Sequence, residues 1–390
     1  MVSLVEHKQC TGCMACRQAC PKQCIEEKED YFGNIYPKID YNKCIGCEKC
    51  RAVCPELHKD DMKFFRVKQA NAVWSMDRKT RSLSASGGAA SEMYKEALEL
   101  GYWICGVQYM EGFHVVHTLS KDIESIRKYR QSKYVYSEVG RIYKEIEEKL
   151  KKKEKVLFIS LPCKVAGLKK YLGKEYPLLV TVDIVCHGVP PYRQLINHMK
   201  QVGKEAQRLK FRDENEFLFE TSLNTGKVIY KKYGRQDTYL AAFLEGLNYR
   251  QSCYQCTYAK AERISDITIC DYWGLGTEVP FEHPYTGSVS AVLINSDKGE
   301  LFFDKCKGKL FVEERPVIEA IKGNAQLNYP TPMHLQRKRF EKLYQKIGFE
   351  KAVKEILREK IKKDRNYYLK FKLRKTLRKM AGMIIPKYRS

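Results

Sequence analysis

Eight cysteines in two short runs carry the clearest chemistry of this chain. Residues 10–21 read CTGCMACRQACP and residues 44–55 read CIGCEKCRAVCP. Both space their thiols as C-x2-C-x2-C-x3-C and close on a proline. Three thiolates on one tight loop can cap three irons of a 4Fe–4S cubane, while the fourth points at the other cubane. Cys10, Cys13, Cys16 and Cys54 are thus expected to hold one cluster, and Cys44, Cys47, Cys50 and Cys20 the second. Zinc sites take four ligands, usually from separated C-x2-C pairs, and two complete tandem runs exceed that need. Cys24 falls outside the spacing, beside Ile25, and is expected to pack as a small apolar side chain.

Seven of the 16 cysteines remain. Cys163 follows the apolar segment KVLFIS, and Cys186 follows LLVTVDIV. If both segments are parallel strands, their thiols emerge at one edge of a sheet, where α/β proteins place their sites. Cys253 and Cys256 add a C-x2-C pair, which makes four ligands. A third iron–sulfur cluster is the expectation; a zinc ion and metal-free structural or redox thiols stay open as readings. Cys105 and Cys306 sit in apolar or isolated contexts and read as inert. Cys270 is expected to pack in a strand, with an approach to the third cluster as the alternative.

These thiols need elements to position them. Residues 1–60 form an internal repeat, expected as a two-cluster ferredoxin-like module, and 61–80 read as a polar linker. From 81 to 333 strand and helix patterns alternate, which argues for parallel βαβ pairing with antiparallel hairpins beside it. One hairpin is expected around Asn224-Thr225-Gly226. The fold class is therefore α+β / α/β: a ferredoxin-like module, a mixed-sheet domain, and a basic helical tail over 334–390. In the tail Leu369, Leu373, Leu377, Met380 and Ile384 recur at helical spacing among lysines and arginines.

Charge is unevenly spread. The chain carries a net +24, yet residues 1–60 balance 9 Lys/Arg against 9 Asp/Glu, while 331–390 hold 20 against 5. The tail is the place for an electrostatic partner: an anionic membrane surface, or else a protein contact or solvated extension. No recognition motif for nucleic acid stands out, and none is expected as a partner. No apolar leader precedes the first charges and no stretch is apolar enough to span a bilayer. A cytoplasmic protein is expected, peripheral on the inner membrane surface at most.

Several segments together resemble the coenzyme F-420 hydrogenase/dehydrogenase beta-subunit family, in a bacterial form with a fused ferredoxin module. They are SASGG (84–88), QSKYVYSE (131–138), LFISLPCKVAGLKKYL (157–172), VDIVCHGVP (182–190), FRDE (211–214), CYQCTYAKAERISDITICDYWG (253–274) and KGNAQLNYP (322–330). The resemblance covers residues 1–340. It implies FAD and one 4Fe–4S cluster in the main domain, the latter on the four cysteines argued above. The family usually has Gly at position 270, Thr at 161 and Gln at 164, where this chain has Cys270, Leu161 and Lys164.

No GxGxxG or GxxxxGK[ST] run is present, so a Rossmann or P-loop site is not supported. A flavin site is read instead from the matching segments. Ser86, Gly87 and Gly88 open a helix whose backbone N–H groups would approach a pyrophosphate, a plain helix cap being the alternative. Ser132 and Lys133 would face a phosphate or the N1 side of a reduced flavin. Ser160 and Pro162 would border the isoalloxazine. His187 and Lys133 are the candidate catalytic groups, His187 as a proton donor; His117 reads as structural.

The function expected is that of an iron–sulfur flavoprotein oxidoreductase. Clusters pass single electrons, hydride chemistry needs two, and a flavin converts between them. The organic acceptor implied by resemblance is a deazaflavin coenzyme or a polysaccharide-pathway metabolite, with a ferredoxin or other redox protein as partner. The alternative is a non-catalytic electron-transfer subunit feeding a partner enzyme.

Overall fold

The computed structural model describes residues 2–213 and 216–380, and of 371–380 the helical backbone only. The N-terminal module is a repeat of loop, short helix and strand. Helix Ala15–Ala19 leads to β1 (Ile25–Glu29), which pairs antiparallel with β2 (Ile35–Ile39); helix Lys49–Ala52 follows the second run.

The main domain is built on a nine-stranded mixed sheet. Its strands in chain order are β3 (Gln69–Ser75), β4 (Trp103–Tyr109), β5 (Val115–Ser120), β6 (Ser137–Glu138), β7 (Val156–Ser160) and β8 (Leu179–Ile184). Strands β9 (Arg208–Arg212), β10 (Phe217–Ser222) and β11 (Val228–Tyr233) form a separate antiparallel sheet. The main sheet then takes up β12 (Ile267–Asp271), β13 (Ser290–Ile294) and β14 (Leu310–Arg315), in the order β14-β3-β13-β12-β8-β7-β4-β5-β6. The run β4-β7-β8-β12 is parallel. Its inner strands are covered on both faces, so β7 is buried along its whole length. The hairpin β10–β11 turns at Asn224–Gly226, where Gly226 holds φ +88°.

The register places one set of strand ends along a single edge. The C-terminal ends of β3, β4, β7, β8 and β12 lie there, beside the starts of β5, β6, β13 and β14. Helix Pro162–Leu172 begins at this edge with proline in its first turn, where no N–H is required.

Two expectations need correction. Residues 61–80 are not a linker throughout: β3 lies between β13 and β14, with Ala70, Ala72 and Val73 fully buried. Its buried residues are Ala70, Asn71, Ala72, Val73 and Ser75, small or polar except for Val73, which gives a weak apolar signal. The region from 334 is not only a tail. Helix Arg337–Ile347 and the first turns of helix Phe349–Met380 bury Phe340, Tyr344, Phe349, Val353 and Leu357 in one core with Phe211 and Tyr239. Phe32, from the loop between β1 and β2, enters the same core. Beyond it Leu369 is exposed; Ile384, and the side chains of Leu373, Leu377 and Met380, lie outside the described residues. Among the described residues no helix is long and apolar enough to cross a membrane.

Candidate functional site

The first cysteine run folds as a loop around Gly12, at φ +67°, and Met14, left-handed at φ 60°, and then enters a helix. The second repeats this with Gly46 and Glu48 at φ +69° and 56°. The two reversals wrap each loop around its own thiols. Cys16 has Cys10, Cys13 and Cys54 as its thiol neighbours, and burial pushes the Cys13 thiol up to about 12. Cys20, Cys44, Cys47 and Cys50 line a second cavity together with Cys24. Cys24 is buried in an apolar cluster, its Sγ 3.3 Å from that of Cys20. Among the described residues no three His, Cys, Asp or Glu side chains close on one point as a single ion requires. The larger cubane takes its thiolates at its corners.

A third set of thiols meets at the edge of the main sheet. Cys163 sits in the first turn of helix Pro162–Leu172, Cys186 follows β8, and Cys253 and Cys256 come from a 3-10 turn. All four line one cavity, with Pro162, His187 and Arg250. Burial raises each thiol, Cys253 to about 11 and Cys163 and Cys256 to about 12. As free thiols they would stay protonated; a bound metal deprotonates them outright. Cys270 does not line this cavity and packs in β12 against the neighbouring core. Cys105 and Cys306 are fully buried in separate apolar clusters.

The first run docks directly onto this cavity. Lys164, next to Cys163, donates to the Gly12 carbonyl at 2.5 Å. Arg250 donates to the carbonyls of Cys10 and Ile35, and Ser252 donates to that of Cys10 at 3.0 Å. Tyr136 and Tyr143 hold the carbonyls of Gly12 and Cys13, both at 3.0 Å. Gly167 is needed for the approach: a Cβ there would lie 2.9 Å from Cβ of Cys13. Lys164 and Arg250 are buried, and among the described residues neither forms an ion pair; their donors go to carbonyls. Burial pushes Lys164 down to about 8. Two buried cations outside any ion pair are costly without an anionic group beside them; Glu27 acts on Lys164 from the module side, and a thiolate-bound cluster on the first run fits the remaining need. The sequence marked Lys164 only as a departure from the family it resembles and passed over Arg250, Tyr136 and Tyr143. The one available signal was an arginine three residues before Cys253.

The remaining candidate residues lie along the same sheet edge. Ser86 donates to the Val289 carbonyl. Gly87 is packed against strands: a Cβ would meet the Val73 carbonyl at 2.4 Å, so packing alone requires a glycine. Gly88, at φ +94°, is the left-handed cap of helix Ala89–Glu99. Ser132 is half-buried beside Lys133. Lys133 is half-buried, donates to the Arg130 carbonyl at 3.0 Å and lies over the Tyr109 ring; burial lowers it to about 7. Next to it, Oη of Tyr109 and Nε of Arg130 are buried without a protein partner among the described residues. Ser160 is committed to His117, Oγ to Nε2 at 2.8 Å, and burial drives His117 down to about 3. Pro162 lines the four-cysteine cavity. Burial holds His187 below its ordinary range, Asp271 and Arg212 are its charged neighbours, and Thr331 fixes its backbone carbonyl. The segment 211–214 is described only to Asp213.

Comparison with known proteins adds three findings. Residues 153–320 match the family described as the C terminus of the beta subunit of coenzyme F-420 hydrogenase/dehydrogenase. Two families described as 4Fe-4S dicluster domain match residues 9–57 and 36–106, overlapping on the second cysteine run. Among solved structures, a chain of the F-420-reducing NiFe hydrogenase complex from Methanosarcina barkeri aligns at 16% identity and a TM-score of 0.44, over 71% of this chain and 92% of that one. The search of curated proteins gave no match.

Proposed function

Because the chain joins a 4Fe–4S dicluster domain to the C-terminal domain of the coenzyme F-420 hydrogenase/dehydrogenase beta-subunit family, we propose that it is an iron–sulfur flavoprotein oxidoreductase. Its electron-transfer role follows from those two domains. The finer reading is a relay from the two N-terminal clusters, through a third cluster on Cys163, Cys186, Cys253 and Cys256, to FAD and an organic acceptor. The observation that carries it is the docking of the first cysteine run on the four-cysteine cavity through two unpaired buried cations.

When bound, a flavin supplies the exchange between one-electron and two-electron chemistry. Arg130 and Tyr109 would hold it through their buried, unpartnered donors at the sheet edge, with Lys133 beside them as a half-buried cation whose donors go to carbonyls. Burial keeps His187 below its ordinary pKa, which disfavours the protonated form; the sequence reading of His187 as a proton donor gives way to that of a neutral imidazole that accepts a proton at a ring nitrogen. Leu161, Pro162 and Val189 supply the apolar part of the cavity wall around the four thiols. The second cysteine run has exposed Cys47 and Ile45 at the surface, which suits the entry of electrons from a redox partner.

Anaerobic purification with assays for iron, sulfide and flavin tests this reading. About twelve irons, from three cubanes, and one FAD per chain are expected. Iron without any flavin after full reconstitution refutes the flavoprotein half. Turnover of an organic substrate by the isolated chain with an artificial donor decides against a purely electron-feeding role.

A further inference from the structure

Cations dominate the charge buried at the junction; Glu27, part-buried and paired with Arg17, acts on Lys164 from the module side. Lys164 and Arg250 are each 2% exposed, and both spend their donors on the first cysteine loop or the strand beside it. Tyr136 lies between them. Its ring is 4.5 Å from Nζ of Lys164 and 5.5 Å from the guanidinium of Arg250, and its hydroxyl shares the Gly12 carbonyl with Lys164. Like charges in one dry pocket repel, and an anionic neighbour must offset them. The loop they clasp carries Cys10 and Cys13. The cavity of the second run has only Lys22 and Glu48 as charged lining residues, both exposed.

Reduction adds one negative charge to a thiolate-bound cubane. Burial penalises that added charge, whereas water near an exposed cluster relieves it; net charge and solvent exposure are known determinants of cluster potential. We propose that Lys164 and Arg250 are positioning residues for electron flow: their fixed charges replace the missing water around the cluster of the first run and raise its reduction potential, so that it accepts electrons from the solvent-facing cluster. Arg250 is charged at every accessible pH. The bond from Lys164 to the Gly12 carbonyl fixes its charge at the ligand loop. This inference rests on the dicluster reading alone and needs neither the third cluster nor the flavin.

The full-length chain, reconstituted without oxygen, is titrated with a chemical reductant while electron paramagnetic resonance follows the clusters. Iron per chain in the unaltered protein tests the cluster assignment separately. In Lys164→Gln one N-terminal cluster is expected to become harder to reduce by at least tenfold in its equilibrium constant, about 59 mV for one electron. The other stays in place, and Lys164→Arg restores the first. Arg250→Gln is expected to act in the same direction; a shift in Lys164→Gln alone removes Arg250 from the role. Loss of first-run iron in Lys164→Gln but not in Lys164→Arg again shows that charge is required. Unmoved potentials at full loading, equal shifts in both clusters, or equal iron loss in the Gln and Arg variants overturn the inference.

Discussion

Gly12 and Gly46 occupy the same place in their two cysteine runs and adopt the same left-handed backbone. A Cβ on Gly12 would lie 2.8 Å from Nη2 of Arg250, whereas one on Gly46 would meet nothing within 4 Å. Two residues on, Met14 is buried and Glu48 is exposed. Further along, Gln18 accepts from the backbone N–H of Tyr143, and its counterpart Ala52 is exposed. Ligand geometry thus sets what the two runs share, and docking sets what separates them. The same cluster chemistry is presented inward at one run and outward at the other, which gives a relay a direction in space.

The largest expected effect comes from undoing the docking at its aromatic anchor. Phe32 is buried, its ring 5.7 Å from Phe340 and 5.2 Å from Tyr344, with the Arg337 guanidinium 4.1 Å from its centroid. Phe32→Ala is expected to destabilise the protein by about 3–5 kcal/mol. Limited proteolysis should then release the N-terminal module while both runs keep their iron. Resistance equal to the unaltered chain would mean that the first run alone holds the module.

A second effect of similar size acts through pH. His198 is buried between Asp237 and Glu350, at 2.8 and 2.5 Å, and so ties helix Phe349–Met380 to the main domain. Burial alone would lower His198; the two carboxylates outweigh it and raise it to about 9. A folded-state pKa above the ordinary 6.5 gives stability that is complete below about 6.5 and disappears as pH rises through about 9. On the order of 3 kcal/mol is at stake. Denaturant midpoints between pH 6 and 10 should fall, and His198→Gln should flatten that fall. The docked side of the module depends on these helices through Phe32, so alkaline pH should expose the first run before it affects the second.

How far such contrasts can be read from sequence depends on the range of the interaction. The cysteine runs are legible because ligand spacing is local, and a cubane tolerates few arrangements. The meeting of Cys163, Cys186, Cys253 and Cys256 is legible because two of them follow apolar strands that are parallel neighbours. β3 is hidden because its core side chains are small or polar except for Val73. Phe32, Arg250 and Tyr136 are hidden because their partners are 100 or more residues away and belong to other elements. Nothing local marks a surface loop as docked. For the same reason Gly87 invites a phosphate reading, although Val73 and Ser290 already explain it.

The comparison sharpens further with paired substitutions. Gly12→Ala and Gly46→Ala carry the same left-handed strain, about 1–2 kcal/mol. Gly12→Ala also overpacks against Arg250 and Tyr136, which is expected to add about 1–3 kcal/mol. Thermal unfolding at matched iron content measures the difference. Equal losses would show that Arg250 and Tyr136 yield freely, and the first run would then be no more constrained than the second.

The smallest effect is expected where the copies share their surroundings. Arg17 and Arg51 each follow the third cysteine of a run, and both are half-buried. Arg17 pairs with Glu27 at 3.3 Å, and Arg51 donates to the Ser3 carbonyl at 2.6 Å. Neither contact leaves the N-terminal module, and partly solvated contacts of this kind contribute below about 1 kcal/mol. Arg17→Ala and Arg51→Ala should therefore shift denaturant midpoints slightly and by similar amounts. A large loss for Arg17 alone would mean that asymmetry reaches past the residues that touch the main domain, so that docking strains the whole first half of the repeat. Two small, equal losses would confine it to Gly12 and Gln18, which meet Arg250, Tyr136 and Tyr143.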